Sequence, residues 1–399
     1  MSFDGQSAGK IEPSETAGQR RFSDAEGLRI VLLILMTKCL TICSLLLMAS
    51  SAVQAGLSEL LLQRQWASDL RLEGYRLVTA DGHSGYRAQP DVAAAAGVHV
   101  TYLGTGGLLI ERDGAAILTA PYFANNSLFR VGLWRLAPAN HLVDQYLPDL
   151  DLVQAILVGH AHYDHLLDLP YVWSSHGQHT RIFGNRSMRN LLHGAHPQPA
   201  TVDVEADRRT AASPGVYQES HGGKIRFLPI ASSHAPNVAL PPRPWGLKAM
   251  VSPWAVEEPL DHLPGRSRHW RLGETLAWVI ELHGPAGSRP FRIYYQDAAH
   301  IPEDWQHPGD GEIDLVILTV ASTNLIGQPR FIERIDEVLA PRHWMLIHWE
   351  DFFHTYSQDP AQIFSVPYTN PVDFVRHLRD AGIRDQQWVL PAPGTSLRY

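Results

Sequence analysis

The sequence predicts an α/β protein, a four-layer αββα sandwich made of two βα halves. Strand-like runs and segments of helical spacing interleave twice between residues 98 and 399. Four of the apolar runs end at a histidine or an aspartate: 155–158 leads to His160, 225–231 to His234, 291–296 to Asp297 and 344–347 to His348. With 399 residues and 45% apolar side chains, the chain has material for one large core or two smaller ones.

The N-terminal region reads as a leader. Residues 30–49 form an apolar run divided by Lys38, and the shorter apolar core at 39–48 favours a secretory signal over a membrane span. Small side chains at Val53 and Ala55 predict cleavage after Ala55, so residues 1–55 are a signal peptide and the protein is exported, periplasmic or secreted. An uncleaved anchor is the alternative. Met36 would make a compact signal-peptide start, whereas Arg20-Arg21 lies too far ahead of the run to count as a twin-arginine signal. Cys39 and Cys43, the only cysteines, both fall in this leader. The mature chain is therefore left with histidine and carboxylate as its metal ligands and needs no disulfide. A net charge of −8 without any basic run argues against a nucleic-acid partner.

Residues 56–97 are read as an N-terminal helix and a connector. Leu57, Leu60, Leu61, Leu62, Trp66 and Leu70 are close to a helical stripe, expected to pack on the domain, with peripheral membrane contact as the alternative. The stretch 79–97, with Gly82, Gly85, Pro90 and an alanine run, is the connector. Strands follow at 98–103, 108–112 and 115–119, the last two forming a hairpin turned at Asp113-Gly114. Gly104-Thr105-Gly106-Gly107 has no helix with a P-loop lysine behind it, so it reads as a tight turn.

At 155–158 the apolar, β-branched run reads as a buried strand that Gly159 releases into a loop. In an extended loop, side chains at i and i+2 share a face, so His160 and His162 converge on one ion. Asp164 and His165 can then address a second. A helix is expected over 166–176, its N-terminal end facing the metals and favouring an anion. Another is expected at 186–193, before an irregular excursion over 196–223. Residues 235–275 are rich in proline and tryptophan and read as a lid or wall over the site, or equally as a rigid surface loop whose tryptophans cover the core. Strands at 277–282, 291–296 and 314–319 come next. Helices at 331–339, ended by Pro341, and at 371–381, between Pro371 and Gly382, complete the second half.

The pattern His160-x-His162-x-Asp164-His165, with His234, Asp297 and His348 at later strand ends, resembles the motif set of the metallo-β-lactamase superfamily. The resemblance is one of motif order over residues 98–399, and it implies a hydrolase with its metals between two βα halves. It further implies His160, His162 and His234 on one divalent ion, Asp164, His165 and His348 on another, and Asp297 bridging. Imidazole and carboxylate suit zinc, and also iron or manganese, better than calcium or copper(I). Two such ions can hold a hydroxide between them as the nucleophile. Asp164, the expected catalytic residue, would also guide a proton. Tyr122, Tyr163, His300, Phe352 and His354 lie near these ligands in sequence and are the candidate substrate contacts, although packing accounts for them equally well. The family commonly has Asp-Pro where this chain has Ala120-Pro121, which removes a carboxylate that supports the metal loop. Tyr122 or a water is the expected substitute.

A bridging aspartate argues against the true β-lactamases. His-x-His-Tyr-Asp-His, the long segment after His234 and Ile347-His348-Trp349 are most similar to the branch containing N-acyl-phosphatidylethanolamine-hydrolysing phospholipase D. That similarity implies a phosphodiester substrate, small or lipid-derived. A lactone or other carboxylic ester is the alternative, and a non-catalytic metal- or ligand-binding module is the alternative of another class.

Overall fold

Two seven-stranded sheets carry the fold, in a computed structural model that describes residues 97–235, 253–309 and 311–399. The expected leader, the 57–73 stripe, the connector up to residue 96 and the 236–252 part of the proline-rich segment lie outside the described residues.

The first sheet begins with β1 (Val98–Gly104), β2 (Gly107–Arg112) and β3 (Ala115–Thr119) as an antiparallel meander. It continues through β4 (Val153–Leu157), β5 (Ile182–Gly184) and β6 (Thr201–Asp203), each parallel to its neighbour. The second sheet repeats this plan. β7 (Gln218–Glu219), β8 (Ile225–Ala231), β9 (Leu276–Leu282) and β10 (Phe291–Gln296) are antiparallel. They are followed by parallel β11 (Leu315–Thr319), β12 (His343–Ile347) and β13 (Trp388–Val389). The last strand, β14 (Ser396–Arg398), returns to the first sheet and pairs antiparallel with β1. The two halves thus share one order of pair orientations, a duplication that no sequence repeat announces.

Alternation along the strands decides the layers, because successive side chains leave opposite faces. In β2 and β3, Leu108, Ile110, Ala115 and Ile117 face inward, where they meet Trp278, Ile280, Ile293 and Ile317 of the other sheet in one buried cluster. The alternate residues Leu109, Ala116, Leu118 and Ile156 face outward under the helices of the first half. Val279, Tyr294, Val316 and Leu346 do the same under α6 (Gln328–Leu339) and α7 (Pro371–Asp380) of the second. Helices therefore cover both outer faces, giving the expected αββα order. Each fully buried aliphatic or phenylalanine side chain in these layers contributes about 1.5–3 kcal/mol.

Among the described residues, five helices cover the first half: α1 (Leu128–Leu133), α2 (Asn140–Tyr146), α3 (Tyr163–Leu166), α4 (Leu169–His176) and α5 (Arg186–Leu192). Sequence reading missed α1 and α2, which at six and seven residues are too short to establish a period. It also placed Asp164 and His165 in a loop, whereas α3 starts at Tyr163 directly after the extended His162. The excursion over 196–223 holds the short edge strands β6 and β7 and a single 3-10 turn at Glu205–Asp207 within otherwise irregular chain.

Candidate metal centre

Every candidate ligand leaves the fold at the same edge. β3, β4, β10, β11 and β12 present their C-terminal ends there, and β8 runs with β10 because both are antiparallel to β9. The loop after β4 is tied down from the other half. Leu276 donates its N–H to the Gly159 carbonyl at 2.8 Å, and Ala161 donates to the Leu272 carbonyl at 3.0 Å. These bonds fix His160 and His162 on either side of Ala161.

Seven side chains converge there in three overlapping groups. His160, His162 and His234 form one; His160, His165 and Asp297 a second; Asp164, His165 and His348 a third, each with donor atoms within 4.8 Å of one another. Asp297 lies between the outer groups, with Oδ1 3.1 Å from Nδ1 of His160 and Oδ2 3.4 Å from Nδ1 of His165. Oδ2 of Asp164 is 3.7 Å from Nε2 of His165 and 3.5 Å from Nε2 of His348. The arrangement leaves no room at two glycines. A Cβ on Gly159 would sit 2.1 Å from Oδ1 of Asp297, and one on Gly106 would sit 2.8 Å from Nδ1 of His165.

The donor set fits divalent metal ions. His165 is fully buried, yet neither of its ring nitrogens has a hydrogen-bond partner among the described residues, an expensive arrangement unless an ion takes one of them. His234 instead directs Nδ1 to the Ala235 carbonyl at 2.7 Å, which leaves Nε2 as its ligand atom. Burial, reinforced by the packed imidazoles, pushes His162 well below its ordinary value and holds His165 at about 3 and His234 at about 4. Burial opposes ionisation of Asp297, but His165 and His160 outweigh it and hold the carboxyl at about 2. Asp164 is likewise held well below the carboxylate range, against its burial, by His165 and His348. Neutral imidazoles beside ionised carboxylates are the protonation states that metal binding requires.

Supporting groups surround these donors. Tyr295 donates its hydroxyl to the Gly106 carbonyl at 2.7 Å and lies 3.2 Å from Oδ2 of Asp297. Tyr102 contacts both His348 and Glu350: it accepts the His348 N–H at 2.8 Å and donates to Oε2 of Glu350, whose other oxygen accepts the Thr105 N–H. Asp168, buried and pushed up to about 6 by that burial, accepts the N–H groups of Phe123 and Ala124 at 2.7 and 2.8 Å. Sequence reasoning overlooked these groups. Only Tyr295 and Glu350 carried a local signal, each two residues from a ligand on an extended segment.

A cavity of about 140 Å³ opens over the donors. Its floor includes His160, His162, Asp164, His234, Asp297 and His348, and its walls are largely apolar, with Leu128, Val131, Ala321, Phe352, Phe353 and Val366 among them. Of the five candidate substrate contacts, Tyr163 and Phe352 line it. Tyr122, His300 and His354 do not. The Tyr122 hydroxyl accepts the Asn126 N–H at 3.0 Å and does not replace the carboxylate absent at Ala120; the backbone bonds that Ala161 donates to Leu272 and Gly159 accepts from Leu276 steady the loop instead. His300 meets the Ser233 hydroxyl through Nδ1, and His354 packs its ring on Phe364. The described part of the supposed lid, 253–275, does not line the cavity either. It packs over α1 and α5, with Trp270 buried in the core and Val256 accepting from Nδ2 of Asn190 at 2.8 Å.

No protein-family model and no curated protein matches the sequence. Among solved structures, the chain is similar to a possible metal-dependent hydrolase from Veillonella parvula, 13% identical over 75% of this chain and 99% of that one, with a TM-score of 0.45. It is also similar to Igni18, a metallo hydrolase from Ignicoccus hospitalis, 13% identical over 75% and 97%, with a TM-score of 0.42. A third is the metallo-beta-lactamase fold protein YhfI from Bacillus subtilis, 14% identical over 75% and 99%, with a TM-score of 0.39. At these values the likeness is distant, and the layers and the donor cluster rest on this chain's own distances.

Proposed function

We propose that this chain is a metal-dependent hydrolase of ester bonds, acting on a phosphodiester that carries an apolar group. The carrying observation is the convergence of seven donors, six of which form the floor of an apolar-walled cavity. His160, His162 and His234 would hold one divalent ion and Asp164, His165 and His348 another, with Asp297 shared. Zinc, iron and manganese all suit this set. Such ions, when bound, polarise the scissile group and supply a water of lowered pKa. Asp164 faces the cavity between His165 and His348, where an ionised carboxylate can accept and pass on a proton. Tyr163 lines the same wall, and burial holds its phenol protonated, so it can donate a hydrogen bond to an ester oxygen.

Charge favours a diester over a monoester. Divalent ions on two carboxylates leave the floor cationic, which suits one negative charge on the substrate. A monoester carries nearly twice that charge, and the described walls include no lysine or arginine to meet it. The same apolar walls favour a second reading, a lactone or other uncharged carboxylic ester. Export, with residues 1–55 as a signal peptide, belongs to the proposal on the strength of the apolar run at 30–49 and the small residues at Val53 and Ala55.

The test is hydrolysis of bis(p-nitrophenyl) phosphate, a lipid phosphodiester and an acyl lactone by the purified protein, with bound metal counted and Asp164→Ala as control. Phosphodiester turnover that the substitution abolishes is expected. Lactone turnover alone would replace the first reading by the second. Stoichiometric metal without turnover on any ester would overturn both, in favour of a binding module.

A further inference from the structure

Beside the cavity mouth, α1 presents a surface that the hydrolytic chemistry does not use. Leu128 and Val131 turn inward and line the cavity. On the same helix and just past its end, Phe129, Leu133 and Trp134 are 61%, 63% and 60% exposed, and the Phe129 and Trp134 rings stack at 6.3 Å. The other large apolar side chains exposed among the described residues, Leu152, Val216, Trp254 and Leu325, come from four separate stretches of the chain, whereas these three are grouped, and a group of this kind marks a contact surface.

Two arginine-bearing stretches meet at this surface. Residues 128–135 contain Arg130 and Arg135, residues 266–271 contain Arg266, Arg268 and Arg271, and neither stretch contains an acidic residue. The stretches are held together, since Ser267 donates its hydroxyl to the Val131 carbonyl at 2.7 Å and Leu136 donates to the Gly265 carbonyl at 2.9 Å. All five arginines are exposed, and none forms an ion pair with a carboxylate among the described residues. Burial and then the field of Arg268, Arg271 and Arg266 keep the nearby His269 below its ordinary value. In a chain of net charge −8, this is a local cationic surface with an apolar centre.

We propose that this surface docks on an anionic lipid bilayer, with Phe129, Leu133 and Trp134 entering the interface and the arginines meeting the headgroups. Tryptophan, phenylalanine and leucine beside arginine are the side chains that partition to that depth. A second copy of the same surface is disfavoured, because it would bring arginines against arginines. The apolar cavity walls begin on the inner face of the same helix, so a docked protein would hold its cavity mouth near the lipid. The link to a lipid-derived ester rests on the function proposed above; the docking itself does not.

Co-sedimentation of the full chain with vesicles of phosphatidylcholine alone, or containing a third phosphatidylglycerol, tests the proposal without turnover. Binding to the anionic vesicles is expected, falling as salt is raised. Each arginine replaced by glutamate, starting with Arg130 and Arg268, should weaken it about fivefold or more. Leu133→Ser with Trp134→Ser should weaken it on the order of tenfold. Unchanged hydrolysis of a soluble ester in these variants would show that they fold. Equal binding by wild type and variants would place the lipid contact elsewhere, for example on the apolar run at 30–49, and overturn the proposal. So would preference for a single-stranded oligonucleotide over the vesicles. Failure to bind vesicles leaves the hydrolytic reading intact, and failure to hydrolyse esters leaves the docking intact.

Discussion

His348 donates its backbone N–H to the hydroxyl of Tyr102 at 2.8 Å, across 246 positions of sequence. His348 needs such a restraint because its φ is 55°, in the left-handed region that a histidine seldom occupies. Tyr102 in turn donates to the buried Glu350, so one hydroxyl joins β1 of the first half to the turn after β12 of the second.

Tyr102→Phe would leave the His348 N–H and one oxygen of Glu350 buried without their partner. A loss of about 1–3 kcal/mol of stability is expected. Because His348 belongs to only one outer donor group, one of two bound metals should weaken more than the other. Chelator competition on the folded variant reads this directly, and parallel loss of both metals would contradict it.

Gly159→Ala tests the closeness of Asp297 to the motif loop. The Gly159 backbone is not left-handed, so the only obstacle is the 2.1 Å approach of the new Cβ to Oδ1 of Asp297. Asp297 must move, at a cost of about 1–3 kcal/mol and with loss of tight metal binding at the shared position. An alanine variant with unaltered metal affinity would disprove the contact.

Asp168→Ala should free the loop after β3, since the carboxylate accepts from both Phe123 and Ala124. About 1–3 kcal/mol of stability should be lost. Hydrogen exchange should rise at 123–131, the segment that leads into the cavity wall, with β10 to β12 unaffected.

The metal-free protein should become less stable as pH falls from 7.5 to 5.5. His162, His165 and His234 stay neutral in the fold, while in the unfolded chain they take up protons below about 6.5. Their contribution is therefore present above the unfolded pKa and is lost as pH falls, by on the order of 1 kcal/mol per imidazole at pH 5.5. Asp168, pushed up to about 6 by burial, takes up a proton in the fold within this window and offsets part of this. Urea unfolding in EDTA at the two pH values measures the difference. At pH 7.5, zinc at about 100 times its dissociation constant should restore about 2.7 kcal/mol.

Much of the centre was legible along the chain. A divalent ion in a cysteine-free domain needs histidine and carboxylate, and strand ends are where such side chains can be held still, so His160, His162, Asp164, His165, His234, Asp297 and His348 could be picked out by type and place. The candidate substrate contacts were less legible. Tyr122, His300 and His354 are as near to ligands in sequence as Tyr163 and Phe352, and nothing local says which way a side chain turns. Trp270 and Trp254 illustrate the same limit within one segment, the first buried in the core and the second 71% exposed.

By itself, the sequence determined the longer strands and helices, the donor types and the strand ends that carry them, because periodicity, turn residues and ligand chemistry are local properties; the short strands and the helices α1 to α3 are too brief to show a period. Tertiary structure alone decided which donors share a group, that Tyr102 restrains His348, that Asp297 fills the space above Gly159, and that Phe129 and Trp134 face outward beside the cavity. Those outcomes depend on distances between segments tens to hundreds of residues apart, and such distances are set only when the two sheets pack face to face and bring their C-terminal edges together.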